Sequence, residues 1–513
     1  MTTVPAPLQS SYDIVVVGSG GGAMTAAALA AKAGLSTVVL ERTPLIGGTS
    51  AYSGGACWLP GSDVQQRAGL PDSTDGARAY LAAVLDQPDP ARVEAFLQQA
   101  PALVAVLEAD ELMDFEWIPF SEYYDAPGRV PMGRSIQPVS IARAGLDPAV
   151  TALLRPPVER DRAGAAGRST LSGGQALIGR LAAIVVRDGG TLATEHHVVD
   201  VRRDGAGRVT AVVVDTPTGP VDVGAHRGVI VAAGGYEGSP ELRELHGTPG
   251  SAAWTMAPRG TNTGDLIEAC AKAGAATDYS GEGWFCPGLA QPDGSGTFTL
   301  GFRGGLMVDQ TGRRYANECL PYDRFGRIMA AAPERIPSWF VFDNREGGRL
   351  PAIAMPEGDP AEHLAAGTWV TAESIEDLAE AIGVEPAVLT ETVGRFNGFA
   401  AAGVDDDFGR GEDEYDTFFA GGTGPNKALT PTDQPPYYAA RFVLSDLGTK
   451  GGLVTDSAGR VLDAATEAAI PGLYATSNSV TSVFGSRYPG PGAPLGAAMV
   501  FGSLAVRDLL GET

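Results

Sequence analysis

Lysine is nearly absent. Only four of the 513 residues are Lys (Lys32, Lys272, Lys427, Lys450), so Arg carries almost all the positive charge. Cysteine is equally scarce: Cys57, Cys270, Cys286 and Cys319 lie far apart and form no C-x-x-C. That excludes a zinc ribbon and a disulfide scaffold and reads as reduced thiols in a cytoplasmic protein. A basic excess is missing too. Against 61 Asp+Glu stand 37 Lys+Arg, a formal net charge of −24, which argues against a nucleic-acid or anionic-membrane partner. No apolar run approaches the ~18 residues that span a bilayer, and no Lys or Arg precedes Lys32, so the basic region of a signal peptide is lacking. No segment of 20 to 50 residues repeats, which excludes a solenoid or propeller. The expectation is a soluble cytoplasmic protein with no metal site and no transmembrane segment.

What is present is globular. Hydrophobic residues make up 44% and charged residues 19%, and the length allows two to four domains at roughly 150 residues each. An apolar strand, Tyr12 to Val17, precedes a glycine cluster and an Ala-rich helix reaching about Ala33; a second strand, Ser36 to Leu40, ends in Glu41. This is a βαβ start with the short apolar strands of a parallel sheet. Apolar spacing predicts helices between about 73 and 110, and strands return near Val198–Val201, Thr210–Val214 and Gly228–Ala232. From about 283 aromatics and Arg become denser, with helices near 374–382 and 386–399. An acidic stretch, Asp405 to Asp416, reads as a solvated surface loop. Near 446 the strand-and-glycine texture resumes and closes in a helix, Leu495 to Leu509. The predicted organisation is one α/β domain (1–282), interrupted by a second domain (283–445) and completed by 446–513.

Gly18-Ser19-Gly20-Gly21-Gly22-Ala23 follows the first strand and opens the first helix, matching G-x-G-x-x-A. Gly18 permits the tight turn, Gly20 lets backbone approach a pyrophosphate, and Ala23 allows close helix–strand packing. Unpaired N–H groups and the helix dipole then favour phosphate. Glu41 is positioned to accept the ribose hydroxyls, and its charge disfavours a 2′-phosphate. Val198, at the start of a later strand, is expected against the adenine.

After Glu41-Arg42 comes a second small-residue loop, Gly47-Gly48-Thr49-Ser50-Ala51-Tyr52-Ser53-Gly54-Gly55. Here the chain resembles the FAD-dependent fumarate reductase/succinate dehydrogenase flavoprotein superfamily. The likeness continues through Val229-Ile230-Val231-Ala232-Ala233-Gly234-Gly235, Gly305-Leu306-Met307-Val308-Asp309, Gly312-Arg313-Arg314-Tyr315-Ala316-Asn317-Glu318 and Gly472-Leu473-Tyr474-Ala475. It implies a Rossmann-like FAD-binding domain interrupted by a smaller α+β catalytic (cap) domain. It also implies FAD held by Gly18, Ser19, Gly20, Gly21, Gly22, Ala23, Glu41, Arg42, Gly48, Thr49, Ser50, Ser53, Gly54, Val198, Ala233, Gly234, Asn478 and Leu495. Members with covalent flavin carry a His near the second loop. Residues 41–60 contain none, so non-covalent FAD is implied.

The Arg-rich glycine loop of fumarate-type enzymes is replaced by Tyr488-Pro489-Gly490-Pro491-Gly492-Ala493-Pro494-Leu495-Gly496, and their His-Thr-x-Gly-Gly by Gly448-Thr449-Lys450-Gly451-Gly452-Leu453. With Pro321-Tyr322-Asp323-Arg324 and Tyr52-Ser53-Gly54-Gly55 before Trp58, these segments resemble the 3-ketosteroid Δ1-dehydrogenases. That family sets two tyrosines against C1 and C2 of the steroid A-ring and holds the C3 carbonyl with a third tyrosine and a glycine N–H. Carried over by motif, these residues are Tyr123, Tyr322, Tyr488 and Gly492, with Tyr124 adjacent to Tyr123 as the alternative. The resemblance implies that Tyr322 takes a C2 proton while flavin N5 takes the C1 hydride. A free tyrosine ionises near 10, so a base working near neutrality needs its phenolate favoured by roughly 3–4 kcal/mol, for which a hydrogen bond from Tyr123 is one source. Trp58, Trp284 and Phe285 read as pocket wall, and Lys450 as a structural or flavin-side residue. The implied partners are a 3-ketosteroid such as 4-androstene-3,17-dione and an electron acceptor that the sequence does not name. Competing readings are a Δ4-(5α)-3-ketosteroid dehydrogenase, an ene-acid reductase and a non-catalytic flavoprotein.

Overall fold

The computed structural model describes residues 8–216 and 219–512. The chain divides into two compact units, one comprising Met1–Leu242, Ala257–Glu282 and Thr449–Thr513, the other Arg243–Met256 and Gly283–Gly448.

The first unit is built on an eight-stranded sheet. Its main path runs Arg460–Leu462, Ala469–Ala475, Gly219–Val231, Ser11–Val17, Thr37–Glu41, Thr191–Thr194. The pairs from Ala469–Ala475 to Thr191–Thr194 are parallel. The 13-residue strand Gly219–Val231 serves two neighbours: Gly219–Gly224 runs antiparallel to 211–216, while Gly228–Val231 pairs in parallel with Ile14–Val17. Strands buried on both faces need continuous apolar runs, and Val15, Val16, Val38, Val39, Val229 and Ile230 are all fully buried. The helix Gly21–Lys32 lies next to the closing helix Ala493–Leu510 at small-residue contacts: a Cβ on Gly502 would fall 2.5 Å from the Gly22 carbonyl oxygen. That closing helix is long and apolar enough to cross a membrane, contrary to the reading of the sequence, but 61% of it is buried within the protein.

The second unit has a five-stranded sheet in the order Gly283–Leu289, Tyr437–Thr449, Ser338–Phe342, Leu306–Val308, with Trp369–Ala372 also pairing Tyr437–Thr449. Strand alternation separates two cores. Met307, Phe340, Phe342 and Phe442 join one aromatic cluster, whereas Leu306, Val308 and Val341 face Leu378, Leu389, Val393 and Phe396 of the helices Ile375–Ile382 and Pro386–Ala402. The helix Tyr322–Ala330 buries Tyr322, Phe325, Gly326 and Met329, one face at 3–4-residue spacing. A Cβ on Gly326 would sit 2.8 Å from Cys286 N, so only glycine lets this helix approach the strand Gly283–Leu289 so closely.

Two expectations change. The segment Arg243–Met256, placed by sequence with the first domain, belongs to the second unit. Arg243 pairs with Asp446 at 2.7 Å and Met256 N–H donates to the Asp446 carbonyl at 2.9 Å, partners some 200 residues away. The acidic stretch is not simply a solvated surface. Asp405 is buried and pairs with Arg314 at 2.8 Å, and Asp416 accepts from Asn317 Nδ2 at 2.8 Å.

Candidate active site

The parallel strands of the first unit end together. Gly18 N–H donates to the Leu40 carbonyl, Ala232 N–H to Val17, and Thr476 N–H to Val231, each at 2.8–2.9 Å. The carboxyl edge of such a sheet is where a ligand binds. Gly18 has φ +96°, and a Cβ there would lie 2.3 Å from the Ala232 carbonyl oxygen, so the turn requires glycine. Gly20 caps the helix Gly21–Lys32 and its carbonyl accepts from Met24 N–H at 2.9 Å. Ser50 Oγ, in the turn Gly48–Tyr52, accepts from Gly21 N–H at 3.0 Å, which brings the two small-residue loops side by side. Gly48, with φ +50°, lies against Gly20, and a Cβ on Gly21 would strike Leu495 Cδ1 at 2.3 Å. The start of Ala493–Leu510 thus joins the same cradle.

Around it, Ser19 Oγ donates to Glu41 at 2.5 Å, Thr43 N–H and Oγ1 donate to the other Glu41 oxygen at 2.8 Å, and Glu41 is buried. Ser479 Oγ donates to the Gly234 carbonyl at 2.8 Å, beside Ala233 and in the turn that holds Asn478. Ser53 Oγ closes its own turn on the Ser50 carbonyl at 2.8 Å, next to Gly54. Val198 is buried opposite Val214 in the sheet, and Ala23 is fully buried. Arg42 reaches Thr263 Oγ1 at 3.0 Å and Asp265 at 3.5 Å. Arg155 spans Thr43 Oγ1 at 2.8 Å and Asp161 at 2.7 Å, and Tyr52 donates to the same Asp161; burial and that carboxylate push Tyr52 up to about 12, so it stays a donor.

A tyrosine layer lies in the same unit. Tyr123 and Tyr488 are 1% and 2% exposed with ring centroids 5.1 Å apart, and Tyr123 N–H donates to the Pro489 carbonyl at 3.1 Å. Of the adjacent pair, Tyr123 is the buried ring, whereas Tyr124 is half-buried under the Arg487 guanidinium. Gly492 has φ +80°, and a Cβ there would lie 2.1 Å from the Ala56 carbonyl oxygen. Its own carbonyl accepts from Trp58 N–H at 3.2 Å and Gly496 N–H at 2.8 Å, and its N–H donates to nothing among the described residues. Trp58 is fully buried and donates Nε1–H to Glu122 at 2.9 Å. Lys450 Nζ is bonded to the Ser486 carbonyl at 2.7 Å, a structural tie just before Tyr488. In the second unit Tyr322 is 5% exposed and sets its ring edge-on to Phe298 at 4.7 Å. Trp284 and Phe285 are buried in the neighbouring strand.

A profile of the FAD binding domain family matches residues 13–495. A 3-oxosteroid 1-dehydrogenase of Rhodococcus opacus is 39% identical over 98% of this chain and 99% of its own; one of Mycolicibacterium smegmatis is 35% identical over 97% of each. The chain belongs to the FAD-binding family of the 3-oxosteroid 1-dehydrogenases. The crystal structure of 3-ketosteroid delta1-dehydrogenase from Sterolibacterium denitrificans in complex with 1,4-androstadiene-3,17-dione matches with a TM-score of 0.90 and 31% identity, covering 98% of this chain and all of that one.

FAD is the cofactor of this family, and the cradle fits it. Thr49 Oγ1 is buried with no hydrogen-bond partner among the described residues, in the loop beside the glycine turn. The missing Cβ atoms at Gly20 and Gly48 leave backbone open to a pyrophosphate, and the helix N-terminus at Gly20 favours its charge.

Sequence reasoning missed Tyr80, Asp72, Arg134 and Ser135. Tyr80 hydroxyl donates to the Pro489 carbonyl at 2.7 Å and Ser135 Oγ to the Pro491 carbonyl at 2.6 Å. Nothing in a single sequence marks Tyr80 and Ser135, whose partners are backbone carbonyls more than 350 residues away, and Asp72 and Arg134 meet each other only across 62 residues of chain.

Proposed function

We propose that this protein catalyses FAD-dependent 1,2-dehydrogenation of 3-ketosteroids, with 4-androstene-3,17-dione as a representative substrate. The observation that carries the reading is the buried Tyr123–Tyr488 pair together with a Gly492 N–H that has no partner within the described chain. A phenol and an amide on one short loop are what a carbonyl needs when negative charge develops on its oxygen. We assign Tyr488 O–H and Gly492 N–H to the steroid C3 carbonyl. Polarising that carbonyl acidifies the C2–H, and Tyr322 takes the proton. Bound FAD supplies the hydride acceptor for the C1 hydrogen. The C1–H and C2–H bonds break and the C1=C2 double bond forms, so proton, hydride and electron pair are all accounted for. Tyr123, ring against ring with Tyr488, positions the A-ring.

The FAD is held without a covalent bond, a reading supported by the lack of His in residues 41–60. Acid precipitation of the yellow protein is expected to release intact FAD into the supernatant; flavin left in the pellet contradicts this. The four cysteines are free and buried, which accords with a cytoplasmic enzyme. Turnover of 4-androstene-3,17-dione with an artificial electron acceptor tests the activity, and the expected product is the 1,4-diene.

A further inference from the structure

The loop Tyr488–Gly492 is held through its backbone: Tyr80 and Ser135 side chains donate to the Pro489 and Pro491 carbonyls. Tyr80, in the helix Thr74–Val84, is fully buried. Its hydroxyl donates to the Pro489 carbonyl at 2.7 Å and accepts from Tyr124 N–H at 3.2 Å. Tyr123 N–H converges on the same Pro489 carbonyl at 3.1 Å. One phenol therefore ties the segment carrying Tyr123 to the loop carrying Tyr488.

Beneath Tyr80 lies a buried charge cluster. Glu122 accepts from Arg134 Nε at 2.6 Å, Trp58 Nε1 at 2.9 Å and Val130 N–H at 2.9 Å; Arg134 Nη1 pairs with Asp72 at 2.8 Å. The Arg134 guanidinium lies over the Tyr80 ring at 5.7 Å and the Trp58 ring at 5.4 Å. Arg134, Glu122 and Asp72 side chains are at most 1% exposed. Buried ion pairs are a poor source of net stability compared with apolar packing, so this one calls for a role in registry. Burial and the Glu122 charge push the Tyr80 phenol well above its ordinary range, which keeps it a proton donor.

We propose that Tyr80, seated on the Glu122–Arg134 pair, is a positioning residue that fixes Tyr123 and Tyr488 relative to each other for the dehydrogenation. The proposal rests on the function assigned above. A misplacement of about 1 Å can cost around 10²-fold in rate, so a tether of this kind acts on kcat rather than on affinity.

Tyr80→Phe removes one oxygen and keeps the ring. With 4-androstene-3,17-dione its kcat is expected to fall about tenfold, while KM, FAD content and Tm stay near wild type. If Tyr80 acts through the loop, the same change made on top of Tyr488→Phe costs little, a coupling that a double-mutant cycle reads directly. Glu122→Gln keeps the size but only one acceptor oxygen, turning an NH2 toward donors that now bond both carboxylate oxygens; as a second variant it is expected to lower kcat with KM near wild type. An unchanged kcat with a lowered Tm, or strictly additive effects in the cycle, overturns the proposal. Wild-type protein that leaves its flavin oxidised with this steroid defeats the functional reading itself; an active wild type matched by Tyr80→Phe defeats only the positioning role.

Discussion

Replacing Tyr322 with Phe is expected to lower kcat on a 3-ketosteroid by about 10²- to 10⁴-fold, the usual contribution of a positioned acid or base. The ring is 5% exposed and packs edge-on against Phe298 at 4.7 Å, and Phe preserves that contact. The helix Tyr322–Ala330 is anchored independently through Gly326 and Phe325, so folding is expected to survive. FAD content should be unchanged, because the cradle is made by residues of the first unit. Steady-state kinetics with a flavin assay alongside checks this. Turnover within about threefold of wild type, under ~1 kcal/mol of barrier, removes Tyr322 from the role of base.

Tyr488→Phe is expected to cost about 10²- to 10³-fold in kcat, some 2.7–4 kcal/mol, the price of one oxyanion donor. The bond strengthens as charge reaches the steroid oxygen, so kcat should fall more than KM rises. Phe keeps the face against Tyr123 at 5.1 Å, and the loop backbone remains tied through the Pro489 and Pro491 carbonyls. Gly492 then remains as the second donor, which limits the loss. A variant with normal kcat and only a raised KM makes Tyr488 a binding contact instead.

The two sites differ in how far the sequence revealed them. The dinucleotide turn was legible because its chemistry is local: Gly18, Gly20 and Ala23 sit within six residues, and the positive φ and close approach that demand small side chains are properties of that turn. Glu41 followed from the length of one βαβ unit. Tyr488 and Gly492 were proposed only through a resemblance resting on one short loop, and the structure adds why Gly492 must be glycine: the Ala56 carbonyl occupies the place of a Cβ. What supports the loop was hidden. Tyr80 reads as one more core residue on an amphipathic helix, and Glu122 and Arg134 sit in a segment whose charges look solvated until folding buries them together. The acidic stretch misled for the same reason, since Asp405 meets Arg314 only across 91 residues of chain. Arg42 was placed with the cofactor through the resemblance, and what the sequence did not show is that it meets Thr263 and Asp265, more than 200 residues away.

The central claim is tested most directly by mixing the purified holoprotein with 4-androstene-3,17-dione in the absence of oxygen, following the flavin absorbance and then identifying the steroid. The account predicts that the yellow colour bleaches in a single turnover and that one equivalent of 1,4-androstadiene-3,17-dione is formed. A flavin that stays oxidised with this steroid, while bleaching with a 5α-saturated 3-ketosteroid to give the Δ4 product, contradicts it.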